Sequence, residues 1–208
     1  MLPDNAELPA FDVHVPLMSL PAIFGTTRTT IPAVIPYLSA DPVKLEHWRA
    51  RLAAVPGIKV GITWQGNPLH KFDRHRSFSL TSIEPLARLD NVSLVSLQKG
   101  TGAEQLKLLD GRFSVLDLGP ELAEFTDTAA IMKCLDLVVC CDTSVAHLAG
   151  ALGVNVWVAL STIVDWRWLL KREDSPWYPT MRLFRQERLG EWGPVFAQMA
   201  AELRRRFQ

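Results

Sequence analysis

The chain has no excess of charge: 22 Lys and Arg stand against 22 Asp and Glu in 208 residues. No global field therefore draws it toward nucleic acid or an anionic membrane, and any phosphate binding has to be local. No run of roughly 18 apolar residues is present to cross a bilayer. The opening MLPDNAELPA lacks the basic start and apolar stretch of a secretion signal. The expectation is a soluble cytoplasmic protein with no nucleic-acid partner and no transmembrane segment.

Cysteine is scarce. Cys134, Cys140 and Cys141 are the three present; they lack zinc spacing, and the adjacent pair points to opposite faces of a strand, as reduced core thiols do. A metal site is not expected. The GxSxG elbow, the Walker loop, HExxH and GxGxxG are all missing, which removes the main supports of α/β-hydrolase, P-loop, zinc-protease and dinucleotide readings. There is no internal repeat and no low-complexity tract.

What is there is regular alternation. With 48% apolar residues the chain can form one full-sized domain and a short appendage. From residue 58, apolar runs alternate with helical patterns: IKVGIT then SIEPLARL, VSLVSL then GAEQLKLL, FSVLDL then DTAAIMKCL, DLVVCC then SVAHLAGAL, and finally NVWVAL. Strands of about six residues between helices of about ten predict a three-layer, Rossmann-like α/β domain with a parallel sheet. Residues 1–40 carry six prolines (Pro3, Pro9, Pro16, Pro21, Pro32, Pro36) and read as an extension or linker, or as the remnant of a neighbouring domain. The domain proper is expected over 41–208, opening with a helix from Asp41-Pro42 to about Ala54 and closing with strand MRLFRQ and a helix over 194–207.

The richest segment is LDLVVCCDTSVAHLAGALGVNVWVAL, residues 135–160. A buried strand ends on Asp142, and a helix begins with Thr143 and Ser144 and carries His147 one turn in. In an open α/β sheet, that junction of strand end and helix N-terminus is where phosphate-bearing ligands bind. A capping Asp142 and a core His147 explain the same spacing. The loop WQGNPLHKFDRHRSF after the first strand offers Lys71, Arg74, His75 and Arg76, a cluster suited to a diphosphate leaving group or simply to a solvated loop. Arg76, beside Ser77, is the best placed of the four. Gln98 ends the second strand, where it can read a base or ribose hydroxyl. Glu124 and Phe125 follow the third strand and can hold a nucleoside, whereas Thr126 or Asp127 can cap the next helix. Trp166, Trp168 and Trp177, with Tyr178, Asp165 and Arg167, form a surface for sugar stacking or, as the safer reading, pack the loop against a partner domain.

Together these pieces resemble the carboxy-terminal half of GT-B glycosyltransferases, in particular the ADP-heptose:lipopolysaccharide heptosyltransferases and the glycosyltransferase-like domains that follow tetratricopeptide repeats. The carrying motifs are DTSVAHLAGALGVNVWV, VGITWQGN, VSLQKG and DWRWLLKREDSPWYPTMRLFRQ. The resemblance implies a nucleotide-diphosphate sugar as donor substrate, no tightly bound cofactor, and metal-independent transfer to an acceptor hydroxyl on a sugar or protein. It implies that Asp142, Thr143, Ser144 and His147 lie at the diphosphate and sugar. It places Arg76, with Arg74 or Lys71 as alternatives, at the leaving diphosphate, and Gln98, Glu124 and Phe125 around the nucleoside. Arg76 and His147 are the residues expected to carry catalysis. Ser144 stands where heptosyltransferases usually have Gly, and the first GT-B domain, with its general base, is expected outside this chain. A partner upstream is then that domain or a tetratricopeptide array. The rival reading is a non-catalytic nucleotide-binding or protein-interaction module.

Overall fold

The computed structural model describes residues 6–207. Residues 1–5, Pro3 included, lie outside the described residues, and with them half of the opening segment read for a secretion signal. The described residues up to Pro32 form one compact unit and those from Ala33 onward another. The first unit holds a single 3-10 turn, Leu17–Ser19, running into α1 (Leu20–Ile23), as its proline density dictates. Residues 33–40, expected in the extension, belong to the second unit. Ile35 and Ala40 pack on its core, and the N–H groups of Tyr37 and Leu38 both donate to the Ala151 carbonyl.

In the second unit the elements run α2 (Pro42–Leu52), β1 (Ile58–Thr63), α3 (Asp73–Arg76), α4 (Glu84–Ala87), β2 (Val92–Ser96), β3 (Leu116–Asp117), α5 (Phe125–Met132), β4 (Leu137–Cys141), α6 (Ser144–Ala151), β5 (Val156–Leu160), β6 (Met181–Arg185) and α7 (Gly193–Phe207). Among the described residues the six strands of the sheet are parallel, in the order β3-β2-β1-β4-β5-β6. The chain leaves β1 toward β2 on one side and returns to β4 on the other. The crevice between the carboxyl ends of β1 and β4 is thus the topological switch point, where open α/β sheets bind ligands.

Strand alternation makes the two cores. Val138 and Cys140 join Trp48, Leu52, Ala146 and Trp168 on one face, while Leu137, Val139 and Cys141 join Ile62, Trp64, Leu86 and Phe196 on the other. Cys140 and Cys141 are free and fully buried on opposite faces. Burial pushes the Cys141 thiol up to about 12 and that of Cys140 well above its ordinary value, so both are inert in the folded chain. Asp41 caps α2, accepting from the N–H groups of Val43 and Lys44 at 2.9 Å, with Pro42 in the first turn.

Two predicted elements come out differently. FSVLDL supplies a strand of only two residues, because β3 is an edge strand stopped by Gly119-Pro120, with the Gly119 N–H turned onto Asp117 Oδ1. GAEQLKLL forms a 3-10 segment, Ala103–Leu109, rather than an α-helix. It is bounded by left-handed residues Gly102 and Asp110, which leave room for no further turns.

On α7 the largely covered Glu202 carboxylate meets Arg182, Arg205 and Arg206. Hydrogen bonds from Arg205 outweigh burial and, with Arg206 and Arg182, hold its pKa down to about 2 from an ordinary 4.5. A carboxyl depressed in the fold stabilises fully above its unfolded pKa, and that contribution is lost as pH falls from about 4.5 through about 2. Glu202→Gln should therefore shallow the acid limb of the stability curve, measured as denaturant midpoint against pH, with the gap between the proteins widest at neutral pH.

Candidate functional site

The carboxyl ends of β1, β2 and β4 meet over two adjoining cavities. One, about 730 Å³, is lined by Thr63, Gln65, Leu97, Gln98, Leu122 and Phe125, among others. The other, about 800 Å³, is lined by Asp142, His147, His70, Phe72, Asp165 and Trp166 among others. Arg76, Thr143 and Ser144 line both. These three residues form the seam between the cavities.

Arg76 is held by two elements. Its Nε donates to Asp73 Oδ1 at 3.1 Å, within α3, and its Nη1 donates to the Asp142 carbonyl at 2.9 Å, at the end of β4. The i,i+3 spacing in Asp-Arg-His-Arg puts the buried Asp73 under the guanidinium. Nη2 has no protein partner among the described residues, which leaves a fixed, charged N–H donor at the seam. The loop bearing it closes on itself through Gly66 N–H to Ser77 Oγ and Phe78 N–H to the Trp64 carbonyl. Gly66 is needed for the fit: a Cβ there would lie 2.5 Å from Asp73 Oδ1 and 2.6 Å from Arg76 Nη2. Gly66→Ala should displace Arg76, so that ligand affinity falls about tenfold, roughly 1.4 kcal/mol, and the melting temperature falls as well because the Arg76–Asp73 pair is loosened.

Across the seam stands the N-terminus of α6. The structure corrects the expected cap: the N-cap is Thr143, not Asp142, and no side chain caps the helix. The Thr143 hydroxyl instead reaches the Cys141 carbonyl at 3.4 Å. The first-turn N–H groups of Ser144 and Val145 therefore remain open to a ligand, with the positive end of the helix dipole behind them. Asp142 sits half-buried, and burial raises its pKa, only partly offset by the Trp168 indole and by His147. Burial likewise lowers the pKa of His147, with Asp142 opposing. Both groups are thereby biased toward neutrality. The His147 ring stacks on Trp168 (centroids 5.2 Å apart, planes 19° apart), and its Nδ1 lies 3.1 Å from the Tyr178 hydroxyl.

The remaining candidates divide. Gln98 lines the first cavity, but its amide is committed: Oε1 accepts from the N–H groups of Trp64 and Gln65, and Nε2 donates to the carbonyls of Gln65 and Thr101. Both lone pairs and both protons are used, so Gln98 braces the two loops instead of reading a base. Glu124 and Phe125 also line that cavity. Glu124, not Thr126, is the N-cap of α5, and it is tied to Lys44 of α2 at 2.7 Å. Asp127 reciprocates, accepting from the N–H groups of Ala123 and Glu124. Phe125 is exposed and offers its ring. Lys71 and Arg74 line neither cavity; Lys71 lies over the Phe72 ring and Arg74 pairs with His75. Lys99, which follows Gln98 at the carboxyl edge of the sheet as the sequence places it, donates to the carbonyls of Leu122 and Ala123 and fixes the cavity wall.

The Trp-rich loop is mostly packing. Trp168 is fully buried and Trp177 donates to the Arg167 carbonyl at 2.9 Å. Trp166 is 58% exposed, beneath the Arg167 guanidinium. Among the described residues no three His, Cys, Asp or Glu side chains gather as a metal set, and no helix is long and apolar enough to cross a membrane. Two contributors were not singled out in the sequence: Asp73 and Thr63. Only Asp73 left a signal there, its helical spacing to Arg76.

No protein-family model matches the sequence. Protein FlbA of Caulobacter vibrioides is 33% identical over 184 residues, covering 86% of this chain and 30% of FlbA. The chain thus spans less than a third of that relative. Among solved structures, E. coli ADP-heptose lipopolysaccharide heptosyltransferase II superposes with a TM-score of 0.56 at 12% identity, covering 84% of this chain and 56% of that one. A family 9 glycosyl transferase from Veillonella parvula gives 0.54 at 11%, covering 72% and 42%. E. coli heptosyltransferase WaaC with ADP gives 0.51 at 15%, covering 86% and 52%. The chain spans about half the length of these structures, and at such identities the likeness is one of fold. The second unit is a Rossmann-like parallel α/β domain with a glycosyltransferase-like fold, shared with the heptosyltransferases.

Proposed function

We propose that this cleft binds a nucleotide-diphosphate sugar and presents it for metal-independent glycosyl transfer. The observation that carries the reading is the seam, where a fixed guanidinium and an uncapped helix N-terminus face one another between two cavities. The nucleoside occupies the cavity walled by Leu97, Leu122 and Phe125. The diphosphate lies between Arg76 Nη2 and the N–H groups of Ser144 and Val145. The transferred sugar occupies the cavity of Asp142 and His147.

In the reaction the acceptor hydroxyl attacks the anomeric carbon as the bond from that carbon to the phosphate oxygen breaks. The electron pair leaves with the diphosphate, whose growing charge Arg76 and the helix dipole offset. The acceptor proton goes to a general base, which this reading places outside the chain, in a first GT-B domain. Sequence motifs alone support the tetratricopeptide-associated branch, and the acceptor is a sugar or protein hydroxyl. Titration calorimetry with ADP-, UDP- and GDP-sugars tests the binding step. One of them should bind at one site per chain and bind far more weakly to Arg76→Gln; heat from none of the three would sink the reading.

Exposed Trp166, Ile163 and Leu170 favour a second role, a non-catalytic module that docks a protein through this apolar rim. That role predicts nucleotide binding without transfer even when a complete first domain is supplied.

A further inference from the structure

His147 enters its cavity with one ring face and one ring nitrogen already engaged. Trp168 stacks on the ring, Tyr178 meets its edge at 5.8 Å and 62°, and the Tyr178 hydroxyl lies 3.1 Å from Nδ1. Nε2 has no protein partner among the described residues. It is the nitrogen left for a ligand.

The sequence makes room for this arrangement at Gly150, three residues beyond His147 on the same face of α6. A Cβ at position 150 would lie 2.4–2.9 Å from three atoms of the Tyr178 ring, so the ring rests on the helix only because that side chain is absent. The segment carrying Trp168 and Tyr178 is pinned from the end of β6. Arg185 donates to the carbonyls of Trp168 and Arg172, and Trp177 Nε1 donates to the Arg167 carbonyl. The buried phenol is thus delivered to one ring nitrogen by a well-tied segment.

A bond between a phenol and an imidazole can run two ways. The phenol O–H is the more acidic donor and the imidazole nitrogen the more basic acceptor, so O–H to Nδ1 is the stronger pairing. Burial, the largest cause, keeps the Tyr178 phenol protonated, and the hydroxyl's hydrogen-bond partner among the described side chains is His147 Nδ1. The tautomer of a histidine is set by the bond its other nitrogen makes.

We propose that Tyr178 is a positioning residue that donates its O–H to His147 Nδ1. It thereby holds the imidazole as the Nε2–H tautomer, a neutral hydrogen-bond donor to an oxygen of the bound nucleotide sugar. This rests on the binding reading above and sharpens it: His147 gives a hydrogen bond and takes no proton from the acceptor.

The test reads the tautomer without ligand. In histidine-labelled ¹⁵N protein, at a pH above the imidazole range, long-range proton–nitrogen spectra should show His147 with protonated Nε2 and bare Nδ1; His147→Gln assigns the signal by its loss. Tyr178→Phe keeps the ring against Gly150 and removes only the hydroxyl. It should give a mixture of tautomers and about tenfold weaker nucleotide-sugar binding at a nearly unchanged melting temperature. An Nδ1–H tautomer in the wild type overturns the proposal, as does an unchanged tautomer in Tyr178→Phe; should that variant not fold, the wild-type spectrum decides alone. A chain with the Nε2–H tautomer that binds no nucleotide sugar refutes the proposed function while upholding the hold of Tyr178 on the ring.

Discussion

Arg76→Ala should lose nucleotide-sugar binding by about 10- to 100-fold and cost stability as well. The two losses have separate causes. The first is a charge-assisted hydrogen bond to the diphosphate, worth roughly 1.5–3 kcal/mol. The second is the buried Asp73 carboxylate, left without its cation. Stranding one member of a fully buried pair costs about 3–5 kcal/mol; the Arg76 side chain keeps 21% exposure, so about 2 kcal/mol is expected here. The double variant Asp73→Asn with Arg76→Gln removes both charges together and should recover most of the stability, read by urea denaturation. Its affinity should stay low. If the double variant bound as tightly as the wild type, the guanidinium would not touch the ligand.

Trp168→Ala should be the most damaging packing change near the site. The indole is fully buried and stacks on His147, and truncating a buried Trp costs roughly 3–5 kcal/mol in lost transfer energy and residual cavity. For a domain of this size that lowers the melting temperature by roughly 10 °C. Trp168→Phe should lose much less, because it keeps a ring against His147. Equal destabilisation by Ala and Phe would mean that the stack contributes nothing.

The parallel sheet was plain in the sequence because strands buried on both faces, such as LVVCC and VWVAL, read as continuous apolar runs between helical patterns. FSVLDL misled because an edge strand pairs on one side only, and Gly119-Pro120 ended it early. The site was legible as a place, since strand ends followed by Thr-Ser or by Gly-Asn mark the carboxyl edge. Roles inside it were less legible. Gln98 looked like a ligand reader, but its amide is used up by backbone groups from residues 64, 65 and 101, and such long-range satisfaction leaves no local pattern. Asp142 looked like a cap because Asp commonly caps, yet the helix starts one residue later and leaves its first amides bare. That error favours the binding reading, for a helix with a side-chain cap would have had fewer free donors. Among Lys71, Arg74, His75 and Arg76, the sequence set Arg76 apart only by its place beside Ser77. What separates Arg76 is Asp73 beneath it and the Asp142 carbonyl opposite, one local and the other 66 residues away in the chain.

The central claim is that one ligand crosses the seam between the two cavities. Amide proton–nitrogen spectra of the labelled chain, recorded with and without the nucleotide sugar that binds best, test it most directly. The amides of Ser144 and Val145 should shift most, together with those of Gly66 and Phe125 on the nucleoside side and His147 on the sugar side. Shifts confined to one cavity, or lying away from the start of α6, would contradict it.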